Sequence, residues 1–176
     1  MEGLPPMNAI VNPSVRVIKR VQFCSAHVYW NPAWTEDENK TMFHSCSNRF
    51  GHGHNYELKV CIEGPLDRET GMVINLKDLK TVLKEEVIEP LDHRHLNAQI
   101  PFFQKTIPTL ENLSLFIWHR LSPRLEKNEL QLCWIRLKEN ETLSVEYRGA
   151  PIPGLKLDRL HEAPIQEEEY RHAVSV

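Results

Sequence analysis

The sequence lacks three features that would each place it in a different class of protein. None of its 176 residues fall in an apolar run approaching the roughly 18 residues of a membrane-spanning helix, so we expect no membrane partner. It has no excess of positive charge, because the formal net charge is −3, and we therefore expect no nucleic-acid partner. The N-terminus has no basic stretch followed by an apolar core, so we expect no secretory signal and a cytoplasmic location.

Cysteine is also scarce, and its spacing excludes two further classes. The four cysteines are far apart and include no C-x-x-C pair, which disfavours a zinc ribbon and a dense disulfide scaffold. Reduced thiols are the simpler interpretation. The length suits a single domain, and 41% hydrophobic with 26% charged residues is ordinary for a globular chain.

Alternating apolar residues predict four strands. The first covers Val15 to His27 and the second begins at His52 and runs to Ile62. Two further strands, Leu130 to Lys138 and Thr142 to Tyr147, flank a short polar turn that suits a hairpin. Between the first two strands, residues 31–51 are polar and irregular, and we expect a long surface loop there.

Apolar residues at helical spacing predict two helices between the strand pairs. The first follows a short extended piece at Met72 to Ile74, begins after the N-cap Asn75 and ends near Pro90; the second opens at Pro108 and ends near Pro123. Elements grouped in this order favour an α+β fold, with a four-stranded antiparallel sheet and two helices on one face. We expect residues 14–149 to form the domain, with extensions at 1–13 and 150–176.

Three histidines form the most specific candidate site. His52 and His54 are two apart on a strand and so point to the same side, and an antiparallel pairing could bring His27 beside them. Three neutral imidazoles favour Zn²⁺ and leave one coordination position open for substrate or water. The alternative is that these are hydrogen-bonded histidines near a strand end.

Cys46 has two possible roles from its position six residues before His52. It could be a fourth, structural zinc ligand, or a thiolate base whose pKa a nearby metal lowers. Sequence spacing leaves both open. Taken singly, each of the other polar candidates is better explained as an ordinary polar residue than as a functional one. They are Asp92, His93, Thr109, Glu111 and Glu139. Glu139 follows the parity of its strand and could face inward, where a carboxylate needs a donor.

Five segments in order resemble the 6-pyruvoyltetrahydropterin synthase family, over most of the chain between Val15 and Gly149. They are Phe23–His27, Cys46–Tyr56, Gly71–Leu79, Leu91–Asn97 and Pro108–Asn112. The resemblance implies the tunnelling fold, in which subunits join antiparallel sheets into an oligomeric barrel with active sites between subunits. It also implies a homo-oligomer, usually a hexamer built as a dimer of trimers.

The resemblance further implies a zinc-dependent lyase that converts 7,8-dihydroneopterin triphosphate to 6-pyruvoyltetrahydropterin in tetrahydrobiopterin biosynthesis. By their positions in the matching segments, His27, His52 and His54 resemble the family's zinc ligands. Cys46 is similar to the proton-abstracting thiol, with Asp92 and His93 as an assisting relay. Glu139 resembles the carboxylate that anchors the pterin ring, and Thr109 and Glu111 are further pocket residues.

Two alternatives to this activity stay open. The 6-carboxytetrahydropterin synthase of queuosine biosynthesis uses the same substrate and releases acetaldehyde, although the gap between Cys46 and His52 resembles the 6-pyruvoyl type. A non-catalytic, zinc-stabilised oligomerisation module would keep the fold without the chemistry. The chain departs from the family pattern at His95, at Leu110 and in the length of its C-terminal tail.

Overall fold

The computed structural model of the chain describes residues 14–126, 130–150 and 160–165. The elements are β1 (Ser14–His27), α1 (Glu36–Phe43), β2 (His52–Pro65), α2 (Leu76–Leu83), α3 (Glu89–Leu91), β3 (Arg94–His95), α4 (Leu96–Gln99), α5 (Leu110–Glu126), β4 (Gln131–Lys138) and β5 (Ser144–Tyr147). Short 3₁₀ helices cover His44–Ser47 and Pro101–Gln104, and a π-helical turn, Lys84–Ile88, joins α2 to α3. No helix in these ranges is long and apolar enough to cross a bilayer. The predicted extension 1–13 and most of 150–176 lie outside them.

The strands form one sheet in the order β3-β1-β2-β4-β5. The four predicted strands are present and antiparallel to their neighbours. The prediction of four strands was nevertheless wrong, because the two-residue β3 pairs parallel with β1 at its free edge and makes the sheet mixed. A strand this short carries no periodic signal in the sequence.

One face of the sheet and the helices enclose the core. Phe23, Tyr56, Leu58 and Ile135 are buried on that face, and α5 packs against β4 and β5. The opposite face carries cross-strand ion pairs such as Arg20–Glu57. The predicted placement of both long helical segments on one side of the sheet agrees with this burial.

Residues 31–51 are not the irregular loop that the sequence predicted. Thr35 caps α1 with a reciprocal capping box, in which its Oγ1 accepts from the Glu38 amide and the Glu38 carboxylate accepts from the Thr35 amide. Asn39 is fully buried, and its side chain bonds the backbone of Asn31, Trp34 and Thr35. These bonds fix the segment that leads to Cys46.

The helical segment that starts with α2 continues through the π turn to Leu91 and contains Pro90 near its end. Arg120 replaces the backbone hydrogen bond that this proline cannot make. Pro90 has no amide hydrogen to donate to the Glu86 carbonyl four residues earlier, and Nε of Arg120 donates to that carbonyl instead, at 2.9 Å. The Arg120 guanidinium also pairs with the buried Glu86 carboxylate at 2.9 Å and donates to the Leu160 carbonyl at 2.7 Å. Part of the C-terminal extension is thereby attached to the core.

Three predicted element boundaries were wrong. The helix α5 passes Pro123 and ends at Glu126, because a proline in the last turns removes one hydrogen bond while Leu125 is fully buried. The strand β5 begins at Ser144, since Oδ1 of Asn140 holds the amides of Thr142 and Leu143 in a turn. The predicted extended piece at residues 72–74 is not a strand, since residues 73 and 74 form a bend and Met72 belongs to no regular element.

Candidate metal centre and pterin pocket

The register of β1 against β2 brings the three predicted histidines together. His27 is the direct partner of His52, and His54 follows two residues along β2 on the same face. One ligand atom from each imidazole lies within 4.8 Å of the other two, and Nε2 of His27 is 3.1 Å from Nε2 of His52. This cluster lies at the end of the hydrophobic core.

All three imidazoles are held neutral by their surroundings. Burial, together with the neighbouring His52 and His54, lowers the pKa of His27 to about 3. Burial also lowers the pKa of His52 and of His54. A neutral imidazole keeps a lone pair on one ring nitrogen, which is the form that binds a metal.

Two tyrosines lie next to the histidine cluster. The sequence analysis did not assign either of them to the site. The hydroxyl of Tyr56 lies 3.2 Å from Nδ1 of His27, and the Tyr29 ring centroid is 4.7 Å from the His27 ring centroid. Burial raises the pKa of both phenols, so both are neutral. The alternation of β2 could have indicated Tyr56, since it shares the face of His52 and His54.

Glu139 faces inward beside the histidines, as its strand parity predicted. Its Oε1 is buried without a hydrogen-bond partner among the described residues, 3.5 Å from Nε2 of His54 and 4.0 Å from Nε2 of His27. Burial, with a contribution from Glu111, raises the pKa of this carboxyl. Tyr56 lies within hydrogen-bonding reach of this carboxylate and acts to lower its pKa, which leaves Oε1 as the oxygen that a donor or a cation beyond the described residues could satisfy.

Cys46 lies on the 3₁₀ helix His44–Ser47, outside the group of mutually close ligand atoms. The Tyr29 amide donates to its carbonyl at 2.8 Å, which connects the Cys46 segment to the chain just after β1. Burial raises the pKa of the thiol, and the Glu139 carboxylate raises it further. A hydrogen bond with Ser45 acts in the opposite direction but does not offset these effects, so a nearby cation would have to supply the lowered thiol pKa that a base needs.

Asp92 and His93 form a separate group with Cys24. Oδ1 of Asp92 accepts from the Cys24 amide at 2.8 Å, and its Oδ2 lies 2.9 Å from Nδ1 of His93, whose side chain is 80% exposed. Burial opposes ionisation of Asp92, but these hydrogen bonds hold the pKa of its carboxyl below the ordinary value. Cys24 and His27 are three residues apart on β1 and so occupy opposite faces of the sheet.

Thr109 and Glu111 lie on either side of Leu110, the first residue of α5. Oγ1 of Thr109 accepts from the Asn112 amide at 3.3 Å, so this hydroxyl is used as a helix cap. Glu111 is exposed, and its charge raises the pKa of both Tyr29 and Glu139. Leu110, one of the departures from the family pattern, is buried in the core.

The donor set fits a metal ion. Three neutral imidazole nitrogens converge, and the Tyr56 hydroxyl lies at the remaining ring nitrogen of His27. Beside them lies Oε1 of Glu139, which has no hydrogen-bond partner among the described residues. Such a set suits Zn²⁺ and other ions that prefer nitrogen, and is a poor match for Mg²⁺ or Ca²⁺.

Comparison with known proteins agrees with the motifs. A sequence model described as 6-pyruvoyl tetrahydropterin synthase matches residues 16–150. The chain belongs to this family. The 6-pyruvoyl tetrahydrobiopterin synthase of Pongo abelii is 37% identical over 134 residues, which are 76% of this chain and 91% of that protein. The Drosophila melanogaster enzyme is 35% identical over 144 residues, or 81% of this chain and 85% of that protein.

A solved structure and a more distant relative extend the comparison. The Caenorhabditis elegans 6-pyruvoyl tetrahydropterin synthase superimposes with a TM-score of 0.73 at 31% identity, covering 78% of this chain and 97% of that one. A putative 6-carboxy-5,6,7,8-tetrahydropterin synthase from Archaeoglobus fulgidus is 38% identical over 97 residues, or 55% of this chain and 75% of that protein. The Pongo abelii and Drosophila melanogaster relatives, which each cover more than three quarters of this chain, are of the 6-pyruvoyl type.

Proposed function

We propose that the protein converts 7,8-dihydroneopterin triphosphate to 6-pyruvoyltetrahydropterin, with elimination of triphosphate. The carbon–oxygen bond to the triphosphate breaks and hydrogen is redistributed within the substrate, so no external oxidant or reductant is required. The observation that carries the proposal is the convergence of three neutral imidazoles beside the buried Oε1 of Glu139, which has no hydrogen-bond partner among the described residues, in a chain of this family.

His27, His52 and His54 would hold the ion, which we propose is Zn²⁺. When bound, it would supply Lewis-acid polarisation of the substrate hydroxyls and a positive charge that favours the Cys46 thiolate. Tyr56 orients His27 through Nδ1, so that Nε2 faces the other two imidazoles.

Cys46 is the proposed general base and Glu139 the proposed anchor of the pterin. The position of Cys46 outside the ligand group supports the role of base over that of a fourth ligand. The orphaned Glu139 oxygen supports a role as acceptor for the guanidine-like edge of the pterin, where two parallel hydrogen bonds would fix the ring. Thr109 and Glu111 are proposed as secondary pocket residues next to Glu139.

The Asp92–His93 pair is proposed to serve the site of a neighbouring subunit. Asp92 holds Nδ1 of His93, so Nε2 of an exposed imidazole is free to exchange a proton. The pair lies with Cys24 on the other face of β1 from the His27 cluster, which supports a shared site in a homo-oligomer. A hexamer of two trimers is part of the proposal, as is the cytoplasmic location expected from the sequence.

Product analysis tests the proposed function. Zinc-loaded protein is incubated with 7,8-dihydroneopterin triphosphate, and the pterin is identified by mass spectrometry. We expect 6-pyruvoyltetrahydropterin and one triphosphate per turnover. Release of acetaldehyde together with 6-carboxytetrahydropterin would instead show the 6-carboxy activity. If zinc binding raises the melting temperature but the zinc-loaded protein forms no product, the protein is a structural module.

A further inference from the structure

Two cysteines that the proposed function does not use lie side by side on neighbouring strands. Cys61 of β2 pairs with Trp134 of β4, and the next pair along is Ile62 with Leu132, so Cys133 is an extra residue between the two pairs. Such an extra residue makes a β-bulge, in which two residues of one strand oppose a single residue of the other. The bulge therefore brings Cys133 beside Cys61.

Both thiols are on the face of the sheet opposite the histidine cluster. Sγ of Cys133 lies 3.6 Å from Oε2 of Glu63, which follows Cys61 by two residues on β2 and so shares its face. The same Glu63 oxygen accepts from Nε of Arg16 at 2.6 Å. On the core side of the bulge, the buried residue is Leu132. The sheet thus separates the two thiols from the groups proposed to bind metal and substrate.

Cys61 is enclosed although it faces away from the core. Its exposed fraction is 1%, and its cross-strand neighbours are Ile18 on β1 and Trp134 on β4. The Cys61 and Cys133 thiols interact by a hydrogen bond, and burial raises the pKa of both, that of Cys133 to about 11. Both thiols are therefore protonated near neutral pH, so no repulsion between thiolates holds them apart.

The backbone spacing at this point suits a covalent bond between the two sulfurs. Residues opposite each other on antiparallel strands have Cα atoms about 4.5–5.5 Å apart, and disulfides join Cα atoms about 4.4–6.8 Å apart. Cys61 and Cys133 are both free thiols in the structure, and Cys133 is the more exposed of the two. The bond is therefore one that an oxidant would form, starting at Cys133.

We propose that Cys61 and Cys133 form a disulfide between β2 and β4 when a low-molecular-weight disulfide such as oxidised glutathione is the oxidant. The Cys133 thiolate attacks one glutathione sulfur and releases the first glutathione thiolate. Cys61 then loses its proton and attacks the Cys133 sulfur of the mixed disulfide, which releases the second. Two protein thiols are oxidised, and one glutathione disulfide is reduced to two thiols. The site is independent of the proposed pterin chemistry.

Peptide mapping after oxidation tests the pair. The folded wild-type protein is incubated with oxidised glutathione at about pH 9, where more of each thiol is ionised. Free thiols are then alkylated in denaturant, and the tryptic peptides are analysed by mass spectrometry. Trypsin places Cys61 in the peptide of residues 60–68 and Cys133 in that of residues 128–136, each with no other cysteine. We expect these two peptides to be joined, with a mass two hydrogens below their sum, and to separate on reduction.

Two results of the mapping would overturn the proposal. One is alkylation of both Cys61 and Cys133 after the incubation. The other is glutathione retained on Cys133 without a cross-link, which would show that Cys61 does not reach it. Non-reducing electrophoresis should show the oxidised chain as a monomer. A dimer band that disappears in Cys133→Ser would mean that Cys133 bonds to another copy of the chain, which also contradicts the proposal.

Thermal unfolding provides a second readout. The cross-link closes the chain between residues 61 and 133, so oxidation should raise the melting temperature of wild type by about 5–10 °C. The matched control Cys24→Ser keeps the pair and should show the same rise. Cys61→Ser and Cys133→Ser should show none. A rise of equal size in Cys133→Ser would show that oxidation acts elsewhere in the chain and would overturn the proposal.

Discussion

The hydroxyl of Tyr56 lies 3.2 Å from Nδ1 of His27, inside the core and directly behind the three-histidine cluster. The contact fixes the orientation of a ring whose other nitrogen, Nε2, is 3.1 Å from Nε2 of His52. A hydrogen-bond partner behind a ligating histidine commonly sets both its tautomer and its affinity for metal.

Replacement of Tyr56 by Phe removes this contact while keeping the ring. We expect metal affinity to fall about 10-fold, within the range seen when such partners are lost, with little change in fold. Competition with a chromophoric chelator measures the affinity. The matched control is Tyr147→Phe, which removes a hydroxyl bonded to the Ala150 carbonyl and should leave metal affinity unchanged. Equal affinities for both variants would show that Tyr56 does not position His27.

The stability of metal-free protein should fall as the pH is lowered. His27 has an ordinary pKa of 6.5, and in the folded protein burial lowers that pKa to about 3. The unfolded chain therefore binds a proton between these pH values that the folded chain rejects, and this favours unfolding. The pKa of His52 and that of His54 are also lowered in the folded protein, so both groups add to this loss of stability at low pH.

Urea denaturation in the presence of a chelator, repeated between pH 7 and pH 4, measures this dependence. The free energy of unfolding should be highest near neutrality and decrease with falling pH below about 6.5. The His27→Gln variant should show a shallower dependence, since it removes the most strongly perturbed imidazole. If the free energy of unfolding changed with pH equally in wild type and His27→Gln, His27 would not be the source of the pH dependence.

Two inactive variants should restore each other's activity if the Asp92–His93 pair serves a neighbouring site. Cys46→Ala and His93→Ala are co-expressed with different tags, and mixed oligomers are isolated. Random mixing should return about a quarter of wild-type turnover, from sites that combine an intact Cys46 with an intact His93. A mixture of Cys46→Ala with Cys46→Ser is the control and should stay inactive. No recovery in the first mixture would mean that both residues must come from one chain.

Arg120 should contribute more to stability than an exposed arginine. It pairs with the buried Glu86 and donates to two carbonyls, one of which lacks its helical donor because of Pro90. Arg120→Leu should lower the free energy of unfolding by about 3 kcal/mol, since it leaves a buried carboxylate with one remaining partner, Arg124. Arg136→Leu, which breaks an exposed pair with Glu146, should cost less than about 1 kcal/mol. Equal decreases in the free energy of unfolding for Arg120→Leu and Arg136→Leu would contradict the larger contribution of Arg120.

The sequence predicted the parts of the structure that strong periodicity specifies. The alternation in β1 and β2 located two long strands and placed the three histidines on one face, and the register then brought them together. The helix α1 was missed although Thr35 and Glu38 form a capping-box pattern, because its apolar residues, Met42 and Phe43, are adjacent at its end and show no helical periodicity.

Other features depend on tertiary contacts that no local pattern encodes. The strand β3 exists only because the chain returns along β1, where the His93 amide bonds the Cys24 carbonyl at 2.7 Å. The grouping of Asp92 and His93 with Cys24 follows from the same return. The role of Tyr56 behind His27 needed the pairing of two strands before it could be recognised.

The metal content and turnover of Cys46→Ala test the central claim most directly. Elemental analysis should find the same zinc content as in wild type, because the proposed ligands are the three histidines. Turnover of the pterin triphosphate should fall by a factor of about 100 or more, as expected for loss of a general base. Loss of zinc together with activity would make Cys46 a ligand and contradict the proposed site.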